Sequence, residues 1–393
     1  IWEWADHACL DGDGNWLYGG DNGEYAHDYN FCVDGLFYPD RRPHTGAYSM
    51  KVAYRPVRAQ YVSSNKYRLT NTNYFASTKG MEVKWQYNVN GKTNASGKFD
   101  IDIPPRDYYD ATLKYTMTDI SNDCYIIFSY YDKSSDKLIA EEHIELSRHV
   151  PALVEVNKGD IALIEEHDKT IVSACGDVNM RIEFDNIGGN LCSYNVDGVE
   201  YISLDVENKG LNVSLYGAAI DNYMYIDGTW KKQGFDRISV TCDAFGANKR
   251  GSIGGGRAEI NTRHSIFLAG KKRFELDITY TVYPNGYMDI ASNLTAFKQF
   301  DLPRFGFTLK MPPQYNKVKY YGKGPKENYP DFKLHGIMGI YEDTVENMLE
   351  HYIMPQDNGN RCGCRWASVT DDSGKGLTFV ARDETFNFSA QPV

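Results

Sequence analysis

The chain has 393 residues, 42% of them hydrophobic, with 53 acidic against 42 basic side chains and a net charge of −11. That length allows two or three domains with real cores, and no run approaches the ~18 apolar residues of a membrane span. No Lys/Arg-rich block supplies the basic footprint of a nucleic-acid partner, and eight scattered cysteines describe no disulfide framework.

Residues 1–53 differ from the rest. Ile1-Trp2-Glu3-Trp4 reads as the end of an apolar strand, so we expect a middle-to-C-terminal piece of a longer protein. A loop rich in Asp, Gly and Asn follows, then residues 43–52 read as a short helix with Pro43 in its first turn. Strand end, long loop and helix make one unit of a β/α barrel, in which functional groups sit on the loop after the strand. A barrel segment without partner strands cannot close a sheet, so we expect poor order here. From Tyr54 the pattern turns to period two. Met81-Glu82-Val83-Lys84-Trp85-Gln86-Tyr87-Asn88-Val89 alternates clearly, and Asn90-Gly91 after it signals a hairpin. Several short strands over about 100 residues suggest an immunoglobulin-like sandwich. Alternation weakens over 151–171, where charge clusters at Glu165-Glu166-His167-Asp168-Lys169. From about 172 longer amphipathic strands suit a large two-sheet sandwich, with Asp197-Gly198 and Asn285-Gly286 as turns. The fold class is therefore mainly β.

Trp2 and Trp4 lie two apart and face one side of a strand, where they can stack on a sugar ring or pack into a core. Phe31 and Asp34 offer a backbone carbonyl and a side-chain oxygen within reach of one hard cation. The alternative is a local turn ahead of Gly35. Asp11-Gly12-Asp13-Gly14-Asn15 imitates part of a calcium loop but has Asn22 at the twelfth position, so a turn is the better reading. Cys362 and Cys364 form C-x-C rather than the C-x-x-C of zinc sites, and read as buried free thiols.

Certain motifs, taken together, resemble one family. They are Trp2-x-Trp4, Tyr18-Gly19-Gly20-Asp21, Asn30-Phe31-Cys32-Val33-Asp34-Gly35-Leu36, and Pro39-Asp40-Arg41 with Pro43-His44. Far downstream come Tyr321-Gly322-Lys323-Gly324-Pro325-Lys326-Glu327-Asn328-Tyr329-Pro330-Asp331 and Pro355-Gln356-Asp357-Asn358-Gly359-Asn360-Arg361. Their order and separation resemble the large bacterial β-galactosidases of glycoside hydrolase family two. The resemblance implies a remnant of a catalytic (β/α)8 barrel over 1–53, an immunoglobulin-like sandwich over 54–152, a linker over 153–171 and a truncated β-supersandwich over 172–393.

It further implies retaining hydrolysis of terminal β-D-galactosides by two glutamates with carboxyl groups ~5 Å apart. Both glutamates, and the ligands of an active-site magnesium, would precede residue 1, leaving the isolated chain inactive. Trp2 would form a wall against the galactosyl unit. Phe31, through its carbonyl, and Asp34 would form part of a sodium site near the sugar's 6-hydroxyl, with Asp34 also binding that hydroxyl. Asp221-Asn222 match a substrate-contacting loop, although neighbouring Arg, Pro and Asp residues of that loop are replaced here. The intact parent would be a homo-oligomer. Two other readings stand beside this one: a non-catalytic carbohydrate-binding or scaffold β-sandwich, and a parent specific for β-glucuronides or β-mannosides.

Overall fold

Period-two alternation becomes strand nearly everywhere it occurs, and the chain is mainly β. The computed structural model describes all residues except 1–2, 120, 150–158, 176–177, 204–209, 221–222, 252–255, 383 and 393. These residues form two units, residues 1–151 with 316–393, and residues 152–315. The boundary between the units at Tyr315 falls inside the stretch 172–393.

In the first unit a three-stranded sheet (Val57–Ser63, Lys66–Asn71, Tyr108–Thr112) faces a four-stranded one. The latter runs in the order Lys92–Ile101, Met81–Val89, Cys124–Asp132, Lys137–Ser147. All their pairings are antiparallel. Met81, Val83, Trp85 and Tyr87 point inward at every second position, against Tyr67, Leu69 and Phe128. Asn90 and Gly91 both take positive φ (49° and 81°), the left-handed pair a two-residue hairpin needs.

One buried carboxylate joins this sandwich to the helix before it. Glu142 accepts hydrogen bonds from the Ala59 N–H (2.8 Å), the Tyr130 hydroxyl (2.7 Å) and the Arg55 guanidinium (2.9 Å). Arg55 also donates to the Val52 carbonyl (2.8 Å) at the end of helix Thr45–Ala53.

Residues 316–393 add a sheet in the order Ile337–Thr344, Lys317–Gly324, Trp366–Thr370, Gly376–Val380. A shorter pair, Arg361–Cys364 with Phe386–Phe388, lies beside it. Cys362 and Cys364 are buried free thiols, and burial pushes the Cys364 thiol up to about 12. Tyr125 of the sandwich packs on Tyr321 and Met338. Beside them the Arg365 guanidinium donates to Asp123 (2.7 Å), which also accepts a hydrogen bond from the Tyr321 hydroxyl.

The second unit pairs a five-stranded sheet with a four-stranded one around a core that includes Val172, Ile182, Phe184, Ile260, Phe274 and Tyr280. Strands begin at Ala162, inside the expected linker. The charge cluster 165–169 is the turn between Ala162–Glu165 and Lys169–Ala174. Asp197-Gly198 is a hairpin turn, with φ of 51° and 79°. A helix over Met224–Gln233 is an element the alternation did not signal.

Candidate functional site

Residues 3–53 contain one parallel bridge, Ala5 to Phe37. The Leu36 N–H donates to Trp4 O (3.1 Å) and the Asp6 N–H to Phe37 O (2.8 Å). All the strand ladders described are antiparallel, so this bridge is the one parallel pairing among the described residues, in the direction that neighbouring strands of a β/α barrel take. The helix Thr45–Ala53 follows with His44 at its N-cap, so Pro43 precedes it and is not in its first turn. Proline sits one step earlier, where the chain is still extended.

Between the two strand stubs the chain loops out and back. Tyr29–Cys32 forms a 3-10 turn that carries Phe31, whose N–H donates to Asp28 O (3.0 Å). The Tyr18-Gly19-Gly20-Asp21 motif packs under this turn. A Cβ on Gly19 would come within 1.9 Å of the Tyr29 carbonyl oxygen, so only glycine fits. Asp21 and Glu24 hold the motif by accepting from the Tyr18 N–H (3.0 Å) and Gly20 N–H (2.6 Å). The Gly20 N–H holds the Glu24 carboxyl below the usual range. Asp11 accepts from the Asp13 and Asn15 N–H groups (2.9 and 2.8 Å), so the calcium-like run is a turn closed on itself.

Phe31 and Asp34 therefore sit on one short segment, with the Phe31 ring 51% exposed and Asp34 at the surface. The next residue, Gly35, is buried and pinned. Its N–H donates to Asp6 Oδ1 (2.8 Å), and a Cβ there would press on the Ala5 and Asp6 backbone at 2.8 Å. Asp6 is 3% exposed, and its other oxygen lies 2.9 Å from His44 Nε2. The His44 ring lies tilted against Tyr38 (centroids 3.8 Å apart, planes 48° apart) and meets Tyr352 edge-on (5.7 Å).

The two downstream motifs close around these rings. The Tyr38 hydroxyl donates to Glu350 (2.5 Å), which with burial holds the phenol protonated far above its usual range. The Tyr352 hydroxyl donates to Glu327, and the Gly359 N–H donates to the other Glu327 oxygen (2.6 Å). Glu327 is 4% exposed, and burial raises its carboxyl above the ordinary value. His335 contacts the Glu327 carbonyl (2.8 Å) through one ring nitrogen and Ser49 of the helix (2.9 Å) through the other. Asn328 locks the motifs together, donating to Lys323 O (2.9 Å) and accepting from the Cys362 N–H (2.9 Å). The Asn360 amide donates to Asn328 O (2.6 Å).

Of the sequence candidates, Trp2, Asp221 and Asn222 lie outside the described residues. Phe31 lies in the Tyr29–Cys32 turn and Asp34 two residues beyond it. Their hard oxygen donors suit part of an alkali-ion shell. Among the described residues no group of three or more His, Cys, Asp or Glu side chains could hold a metal. The residues that sequence reasoning passed over are Asp6, Tyr38, Glu350 and Tyr352. Asp6 was only one of several close carboxylates, and nothing local marks it as the buried one.

Comparison with known proteins now bears on the whole chain. Residues 176–393 match the family described as beta galactosidase small chain. Residues 67–150 match beta-galactosidase domain 4, and residues 1–59 match the TIM barrel domain of the glycosyl hydrolases of family 2. A β-galactosidase of Actinobacillus pleuropneumoniae is 25% identical over 414 residues, covering 100% of this chain and 38% of that protein. One from Halalkalibacterium halodurans is 26% identical over 416 residues, covering 100% and 39%. One from Staphylococcus xylosus is 28% identical over 412 residues, covering 99% and 39%. The fold and these matches define a chain of glycoside-hydrolase type, with a barrel-derived segment followed by β-domains. The chain belongs to the β-galactosidase small-chain family, and it spans about two fifths of the length of the curated relatives it matches.

Proposed function

We propose that this chain is the C-terminal part of a retaining, exo-acting β-galactosidase that removes terminal β-D-galactosyl units from substrates such as lactose. In this reading the nucleophile and acid/base glutamates, ~5 Å apart in a retaining enzyme, and the magnesium ligands come from polypeptide other than residues 1–393. This chain supplies one rim of the sugar pocket. Trp2 stacks on the galactosyl ring. The Phe31 carbonyl and the Asp34 carboxylate contribute to a sodium site beside the sugar's 6-hydroxyl, where a bound cation orients that oxygen. The β-domains support the barrel and build contacts in a homo-oligomer.

The observation that carries the reading is that relatives bearing the β-galactosidase name match this chain along 99–100% of its length. Purified 1–393 is expected not to turn over nitrophenyl β-galactoside. Fusion to the upstream barrel of a relative is expected to restore turnover, with β-glucuronide and β-mannoside poor substrates in parallel. Turnover by 1–393 alone, or preference for either rival sugar, overturns the reading.

A second reading has one observation in its favour. Tyr74, Phe75, Tyr108 and Tyr109 of the sandwich are exposed, outside residues 1–53, as a carbohydrate-binding module requires. Glycan-array binding by 1–393 that is lost in Tyr108→Ala would support it.

A further inference from the structure

Asp6 is a buried carboxylate for which the galactosidase reading has no task. One oxygen takes the Gly35 N–H (2.8 Å), and the other faces His44 Nε2 at the ion-pair distance of 2.9 Å, where neither of those two facing atoms has a hydrogen-bond partner. Burying a carboxylate against so few partners costs stability, and a well-packed apolar pair often does as well or better. What the carboxylate does provide is direction. Its acceptor fixes the backbone of Gly35, immediately after Asp34, where a Cβ would lie only 2.8 Å from the backbone of Ala5 and Asp6.

His44 is in turn clamped between two phenol rings whose hydroxyls end on Glu350 and Glu327. The Glu327 carboxylate is itself fixed by the Gly359 N–H. A continuous series of contacts thus runs from the motifs at 321–331 and 355–361, through the His44 ring and Asp6, to the turn at 31–34. We propose that Asp6 and His44 are positioning residues of the galactose rim, and that the two downstream motifs act on the sugar-contacting turn through them. This rests on the reading of the turn as part of a galactoside site. Asp6 and His44 touch neither sugar nor cation in this scheme.

Two measurements test it, and the first needs no enzymatic activity. In 1–393, amide hydrogen exchange across residues 30–37 should quicken at least about tenfold in Asp6→Ala, and by less in Asp6→Asn and Glu327→Gln. Exchange in strand Cys124–Asp132 should stay unchanged. No change at 30–37 in either Asp6 variant overturns the proposal, as does a change that appears only together with equal loss in Cys124–Asp132.

The second measurement uses the enzyme completed by an upstream barrel. Asp6→Asn should raise KM for nitrophenyl β-galactoside about tenfold while kcat moves less than about threefold. His44→Gln, whose amide nitrogen can still reach Asp6, should keep a near-normal KM. His44→Phe, which keeps the ring contacts but no donor, should not. Loss of active enzyme with KM unchanged means a structural role only and overturns the proposal. If the unsubstituted assembly fails to cleave the galactoside, the functional reading falls, and the exchange experiment alone decides whether Asp6 positions the turn.

Discussion

The sandwich between Val57 and Ser147 carries its order in backbone ladders and an apolar core. Residues 3–53 combine short-range backbone bonds with side-chain links, one of which reaches a partner 312 positions away. The rim has one parallel bridge and short-range backbone bonds, and carboxylates accept from further backbone N–H groups, as Asp6 does from Gly35 and Glu327 does from Gly359. The contrast shows two ways of fixing a loop. A ladder repeats the same bond along a strand and tolerates the loss of one. A series of polar contacts has no repeats, and each link is singular.

This difference can be broken at either end. The largest effect is expected in the sandwich, where Phe128 is fully buried against Tyr67 (ring centroids 5.4 Å apart). Phe128→Ala should cost about 4 kcal/mol in urea unfolding and destabilise every strand of the sandwich together. In the rim, Glu327→Ala leaves a buried hydroxyl and the Gly359 N–H without an acceptor. It should cost about 3 kcal/mol, with exchange quickened first at residues 30–53 rather than in the sandwich.

A pH series sharpens the comparison at the boundary between the sandwich and residues 316–393. His143 Nε2 lies 3.0 Å from the Lys323 ammonium. Desolvation first, then the Lys323 and Arg365 cations, hold His143 down at about 3. Between pH 6.5 and 3 the unfolded chain binds a proton there that the folded chain refuses, so stability falls as pH falls. The slope from this group is at most about 1.4 kcal/mol per pH unit, and His143→Gln should remove it from the acid limb of the unfolding curve. The smallest effect is expected at the turn itself. Phe31→Ala should shift stability by less than about 0.5 kcal/mol, because the ring is half exposed and the proposed ligand is its backbone carbonyl.

The sandwich was legible in the sequence because its information is local. Alternation over Met81–Val89 and the Asn90-Gly91 turn each depend on adjacent residues only. The helix Thr45–Ala53 was legible in position, although Pro43 lies outside it rather than in its first turn. The helix Met224–Gln233 was not, although an Asp227–Lys231 pair (2.6 Å) and a left-handed Gly234 (φ 93°) mark it. Its Gly228 and mixed aromatic, β-branched content resemble the strands around it. At the candidate site, Phe31 and Asp34 could be picked out by donor type. Asp6 could not be told from Asp11 or Asp13, because only the folded chain buries one and leaves the others in surface turns. The motifs at 321–331 and 355–361 were visible as words, but their grip on His44 depends on pairings no local pattern records.

Glu142 has a mechanical consequence. It holds at once an edge of one sheet, a tyrosine of the other and the arginine that closes the helix before them. The few residues between helix and sandwich therefore cannot act as a hinge. Torque on the helix passes to the centre of the sandwich, and exchanging that domain for another would require bringing Arg55, Tyr130 and Glu142 together as one rivet.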